Sequence, residues 1–278
     1  MDLSRETHKG HIHPISRAIF DIRKIFDDLG FEIGLGPEVE SEWYNFDALI
    51  VPADQPARDM QDTFWLKQPE NFQFSIFPAS RDPAQPDNFR KGSKMKNERS
   101  ENLVLRTHTT SVTARELEKH KNSLPIRKIF PGKVFRNEAT DATHEAQFFQ
   151  LDGVYVDTDV SLAHLKGVLT HFFKKFLGDD VELRFRPSYF SFTEPSVEID
   201  VRIASPRKST SSPCGSAWLE MMGGGMIHPN VLKAAGIDST KWNGFAFGGG
   251  IDRMVMVKYG IDDIRLLYGG DLRLVSQF

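Results

Sequence analysis

Cysteine is nearly absent from this 278-residue chain. Cys214 stands alone, which rules out an internal disulfide and fits a reducing compartment. Long hydrophobic runs are absent as well: no stretch approaches a membrane span, and the opening MDLSRETHKG has no signal-peptide core. The expectation is a cytoplasmic protein with no membrane partner. An excess of charge is missing too, since 35 Lys and Arg face 38 Asp and Glu for a net −3. That leaves no global footprint for nucleic acid, so any such contact has to be local or shared with a partner. Phenylalanine, by contrast, is plentiful at 22 residues, and several stand beside polar residues where core packing alone does not explain them.

With 40% hydrophobic and 26% charged residues the chain has the composition of an ordinary globular protein. His13 to Leu29 reads as an amphipathic helix, with Ile15, Ala18, Ile19, Ile22, Ile25, Phe26 and Leu29 on one stripe and Gly30 as its cap. Phe31, Ile33 and Leu35 then alternate as a strand that stops at Gly36-Pro37. Gln68 to Asn102, rich in Pro, Ser, Asn and mixed charge, reads as an insertion or flexible loop. Strands are expected over Arg127–Phe135, Phe148–Val156, Val181–Arg186, Val197–Ile203, Ala217–Met222 and Phe245–Gly248. A helix carries Leu162, Leu165, Leu169, Phe172, Phe173 and Phe176 and ends at Gly178, and a last helix spans Ile251 to Tyr259. Sequential strands with few interposed helices predict a single α+β domain, an antiparallel sheet flanked by helices.

Two segments carry chemistry. Val134 to Gly153 (VFRNEATDATHEAQFFQLDG) reads as a hairpin in which Arg136 and Glu138 leave one face, joined by Phe148, Gln150 and Asp152 from the return strand. Burying such a set needs partners, so it suits either a polar ligand or a solvated face of mixed charge. Gly244 to Arg253 (GFAFGGGIDR) runs a strand through three glycines into a helix, an arrangement that lets backbone approach an anionic ligand. Its spacing fits neither the Rossmann nor the phosphate-loop signature. Alone it reads equally well as a tight turn with a surface arginine.

Together these landmarks resemble the class II aminoacyl-tRNA synthetases. The helix and strand ending at Pro37, about 13–37, resemble motif 1; Phe135-Arg136-x-Glu138 with its returning strand, about 132–157, resembles motif 2; Gly248-x-Gly250-x-x-Arg253, about 244–259, resembles motif 3. QPARDMQDTFWL (Gln55 to Leu66), LRTHTTSV (Leu105 to Val112), RPSYFSFTEPSVEIDV (Arg186 to Val201) and GGGMIHPNVL (Gly223 to Leu232) resemble the α-subunit family of bacterial-type phenylalanyl-tRNA synthetases. The resemblance covers nearly the whole chain apart from 68–102.

The resemblance implies ATP-dependent activation of L-phenylalanine and its transfer to tRNA(Phe), with Mg2+ as cofactor. It implies work beside a larger β subunit in an α2β2 heterotetramer. Arg136 and Arg253 are then the catalytic arginines, with Glu138, His144 and Phe148 completing the ATP site. His108, Thr110, Gln150, Asp152, Phe190, Phe192, Ala246 and Gly248 would hold phenylalanine, and Glu194 would be the magnesium ligand. Phe190 and Phe192, one residue apart on a strand-like segment, are expected to put both rings on one side. Ser191, Asp152 and Gly249 depart from the family's usual proline, glutamate and larger apolar residue. The family's N-terminal tRNA-binding coiled coil is expected to be absent, since no segment resembling it precedes the first motif in the sequence given. Two other readings stay open at this point: a relative that activates an amino acid for another acceptor, and a catalytically silent synthetase-like binding module.

Overall fold

The computed structural model describes residues 10–58, 62–67, 102–203 and 218–278. Helix α1 (Pro14–Asp28) starts where His13 Nδ1 accepts the Ile15 amide at 3.3 Å, and it buries Ile15, Ala18, Ile22 and Phe26, the stripe read from the sequence. Gly30 closes it at φ +76°, in the left-handed region where glycine carries no side-chain penalty. Strand β1 is shorter than expected, Glu32–Ile33 only, because Leu35 is 82% exposed and has no strand to lie against. Strand β2 (Val39–Ser41), helix α2 (Glu42–Asn45), strand β3 (Trp65–Leu66) and strand β4 (Leu103–Leu105) follow, and the three strands form a small sheet in the order β2-β4-β3. The expected insertion over 68–102 lies outside the described residues except for Asn102, as do 59–61 of the QPARDMQDTFWL segment and Cys214.

Helix α3 (Thr110–His120) occupies a stretch to which the sequence reading assigned no element. Its first turn is Thr- and Ser-rich, a poor helix former, and the helix is held by packing of Val112 and Leu117 against the sheet. Strands β5 (Ile126–Phe135) and β6 (Gln147–Asp157) pair from Ile126↔Val156 to Phe135↔Gln147. Helix α4 (Leu162–Leu177) opens on a capping box between Ser161 and His164 and ends at Gly178. Strands β7 (Val181–Phe190), β8 (Thr193–Ile203) and β9 (Leu219–Ile227) are each longer than the sequence suggested. Then come helix α5 (Pro229–Ala234), strand β10 (Asn243–Gly250), helix α6 (Ile251–Tyr259), helix α7 (Arg265–Tyr268) and helix α8 (Leu272–Val275).

The large sheet has seven strands in the order β1-β5-β6-β10-β9-β8-β7. Every neighbouring pair is antiparallel except β1 with β5, so the expected antiparallel sheet gains one parallel edge. Its two faces divide cleanly along β10. Phe245 and Phe247 point to a core shared with Phe26 of α1, Phe172 of α4 and Met254 of α6. Ala246, between them, points to the opposite face with Val112 and Leu117 of α3 and Leu232 of α5. On that second face the sheet is not fully covered, and the gap is the candidate site. Among the described residues, no helix is long and apolar enough to cross a membrane.

Candidate functional site

A cavity of about 560 Å³ opens over the middle of the sheet, floored by β6, β9 and β10 and walled by the β7–β8 turn, the loop after β5 and the start of α3. Every expected site residue lines it except Glu194. The hairpin reasoning needs one change. Strand β5 ends at Phe135, so Arg136 and Glu138 project from the loop beyond it, although the Arg136 amide still reaches Ala146 O at 2.9 Å. From there the guanidinium lies over the Phe148 ring, 5.1 Å from its centroid, and 3.8 Å from Glu138 Oε1. Phe148, Gln150 and Asp152 do alternate along β6, on the face toward the cavity.

Asp152 is the deepest charge in the cavity, 2% exposed. Its Oδ2 accepts from Thr110 Oγ1 at 2.7 Å and its Oδ1 from Gln150 Nε2 at 3.3 Å. Burial pushes its pKa up to about 6, opposed by these hydrogen bonds and by Arg106. Gln150 Oε1 is enclosed without a partner, and so is His108 Nδ1. Burial and then the neighbouring Arg136 charge hold the His108 pKa down to about 4, so this imidazole is neutral at neutral pH. Gln150 Oε1, an enclosed acceptor without a donor beside the Asp152 carboxylate, suits a ligand ammonium that brings several N–H groups.

The apolar end is built around Phe190 and Phe192. Their rings are stacked, 5.9 Å apart and 19° from parallel, but not for the expected reason. Phe190 ends β7 and Phe192 lies in the turn before β8, so the tight connection, not strand alternation, aligns them. Gly223 on β9 leaves them room, since a Cβ there would come 2.6 Å from Phe190 Cζ. Ala246 adds a small side chain from β10. A flat apolar ring fits between these walls.

Arg253 follows the turn from β10 into α6, and its Nη1 donates to Glu220 O at 3.1 Å. His144 stands on the loop between β5 and β6, where Asp141 accepts from its backbone amide at 2.8 Å and lies 3.0 Å from its Nδ1. Glu194 lies outside the cavity lining. Its side chain is 75% exposed and its Oε2 lies 3.4 Å from His228 Nε2, and the register of β8 against β9 shifts between Thr193 and Ser196. Glu220 on β9 does line the cavity, and its backbone carbonyl is the one that accepts from Arg253. The sequence held a signal, an acid placed just before Gly223-Gly224-Gly225, but which strand faces the cavity could be read only from the sheet order. Among the described residues, no three His, Cys, Asp or Glu side chains are grouped to hold a metal ion.

A mainly antiparallel sheet with two cavity arginines, one after β5 and one on the helix after β10, is the architecture of a class II aminoacyl-tRNA synthetase catalytic core. The family model described as tRNA synthetases class II core domain (F) matches residues 2–278, and the chain belongs to this family. It is 44% identical over 275 residues to a protein of Anoxybacillus flavithermus named phenylalanine–tRNA ligase alpha subunit, covering 99% of this chain and 70% of the relative. Proteins of the same name from Macrococcus caseolyticus and Shouchella clausii are 44% and 43% identical, with 67% and 70% of their lengths covered.

Proposed function

We propose that this chain activates L-phenylalanine with ATP and transfers the phenylalanyl group to tRNA(Phe), as the α subunit of a phenylalanine–tRNA ligase and as one catalytic domain. The observation that carries the reading is the division of one cavity. Stacked Phe190 and Phe192 with Ala246 take a phenyl ring, while Asp152, Gln150 and Thr110 take its ammonium, and Arg136 and Arg253 meet the anions.

In the first step a carboxylate oxygen of phenylalanine attacks the α-phosphorus of ATP, and the bond to the departing pyrophosphate breaks. No proton moves, so the protein's task is to bring anions together and hold them. Arg136 bridges the carboxylate and the α-phosphate; Arg253 and His144 receive the leaving phosphates. Phe148, under the Arg136 guanidinium, offers a face for the adenine, with Glu138 at its edge. Neutral His108 stays beside the carboxylate without adding charge. Magnesium would ride on the phosphates and supply charge neutralisation, with Glu194 as its protein carboxylate and Glu220 as a second acid available from the cavity lining. A hydroxyl of the terminal tRNA adenosine then attacks the carbonyl, and AMP leaves. A β subunit completes the enzyme, with an α2β2 assembly, in the cytoplasm.

Phenylalanine-dependent ATP–pyrophosphate exchange, with the chain alone and with a β subunit, tests the proposal. No exchange in either condition overturns it; exchange without transfer to tRNA points to another acceptor. Ala246→Gly is expected to widen the slot and admit para-chlorophenylalanine, since Ala246 is buried against the ring pocket. Unchanged discrimination between the two amino acids in the exchange assay would exclude that role.

Asp152 sets a pH dependence. An ammonium competes with a proton for this carboxylate, so the Kd for phenylalanine should be flat above neutral pH and rise roughly tenfold per unit once below about pH 6. Stability runs the other way. Because the folded pKa lies above the unfolded value, the group favours the ligand-free fold as pH falls from about 6 to about 4, and that contribution is lost as pH rises. Equilibrium dialysis across this range, with Asp152→Asn as the flat reference, checks the first effect; a Kd independent of pH in the unsubstituted chain removes Asp152 from the ammonium site.

A further inference from the structure

Strand β10 stops pairing with β6 at Gly250↔Gln150, where the chain turns into α6. The next amide along β6, that of Phe149, has no strand on that side. Asp252, the second residue of α6, fills the gap: its Oδ2 accepts the Phe149 N–H at 2.6 Å. Its Oδ1 accepts the hydroxyl of Tyr268 at the end of α7. The carboxylate is 2% exposed, and both of these donors are neutral. Leaving a carboxylate in such a place carries a desolvation penalty that an apolar residue would avoid.

The position of that penalty is informative. Phe149 lies between Phe148 and Gln150, and Asp252 lies next to Arg253, so one carboxylate joins the strand that offers the ring platform to the helix that offers the arginine. The segment leading to Tyr268 makes a second tie: the Ile264 amide donates to Ala142 O at 2.9 Å, on the loop that carries His144. A third comes from α1, where His13 Nε2 lies 2.9 Å from Leu267 O. Since His13 Nδ1 already accepts the Ile15 amide, Nε2 carries the proton and donates it.

We infer that Asp252 and Tyr268 form a positioning pair for adenylate formation: they lock Arg253, the Phe148–Gln150 strand and the His144 loop into one register, which makes the segment 264–268 part of the active-site machinery although Tyr268 does not itself line the cavity. This rests on the proposed ligase activity. The pair touches no reacting atom. It acts through Arg253 and Phe148, whose placement sets the geometry of the phosphates and adenine, and small displacements there are costly to rate.

Tyr268→Phe is the incisive variant, because it keeps the ring and removes one hydroxyl. In phenylalanine-dependent ATP–pyrophosphate exchange, kcat is expected to fall roughly tenfold or more and the KM for ATP to rise, with the Kd for phenylalanine by equilibrium dialysis within about twofold. Asp252→Asn should reproduce the pattern, and the double variant should be little worse than the worse single one, since both act through one geometry. Thermal unfolding is followed alongside. An unchanged kcat and KM for ATP in Tyr268→Phe overturns the inference, and so does a loss that tracks the folded fraction or weakens phenylalanine binding equally. Absence of exchange in the unsubstituted chain with its β subunit is a different failure, that of the ligase reading itself.

Discussion

Arg136→Ala is expected to lower kcat for phenylalanine-dependent ATP–pyrophosphate exchange on the order of 10³-fold, with little change in the melting temperature. The size follows from the role: a single preorganised donor aimed at charge that develops in the transition state is worth about 10²–10³ in rate, and Arg136 is placed to serve two anions at once. The unchanged stability follows from its surroundings. The side chain is 42% exposed, and its contacts are long ones, to Thr107 O at 3.5 Å, to Glu138 at 3.8 Å and to the Phe148 face. Exposed pairs of that kind contribute about 0–1 kcal/mol. Arg136→Lys should recover little, because a point charge cannot offer the planar fork that spans two oxygens. A second readout comes from His108, whose pKa should rise from about 4 once the neighbouring positive charge is gone. A variant that retains half of the exchange rate would move Arg136 out of the reaction.

How much of this was visible in the sequence depends on the kind of order involved. Helices α1 and α4 were legible because their apolar residues recur at helical spacing over many positions, and α6 because three glycines open it. Helix α3 was not, because Thr and Ser at its start favour turns and only burial of Val112 and Leu117 makes it a helix. Phe190 and Phe192 were placed together by a strand argument, whereas the turn between β7 and β8 aligns their rings. Glu194 shows the limit most clearly. A one-residue irregularity in β8 falls between Thr193 and Ser196, around Glu194, and no periodicity in the sequence marks it. The presence of Glu220 in the cavity lining, and the part played by Asp252, depend on pairings between strands far apart in the chain.

Gly248→Ala should abolish measurable phenylalanine binding and also destabilise the fold, by about 1–3 kcal/mol as for other overpacked sites. Gly248 pairs with Asp152 across β6 and β10, and a Cβ at this position would overlap Asp152 Oδ1 and sit 2.9 Å from its Cγ. The carboxylate has nowhere to retreat: it is 2% exposed and bonded to Thr110 and Gln150. A methyl group would therefore push it off Thr110 while keeping it from water, which removes the ammonium's partner and leaves a charge poorly satisfied. Gly250→Ala supplies the contrast, since a Cβ there meets only Arg253 Cβ at 4.0 Å and the backbone, at φ −71°, accepts any residue. Gly248→Ala combined with Asp152→Ala should regain part of the lost stability without regaining binding, because the second change removes the group that the methyl displaces. Equilibrium dialysis with phenylalanine and thermal unfolding on the three variants separate these effects. Binding by Gly248→Ala within about threefold of the unsubstituted chain would mean that the ammonium does not approach Asp152 over this glycine, and the division of the cavity between β6 and β10 would have to be redrawn.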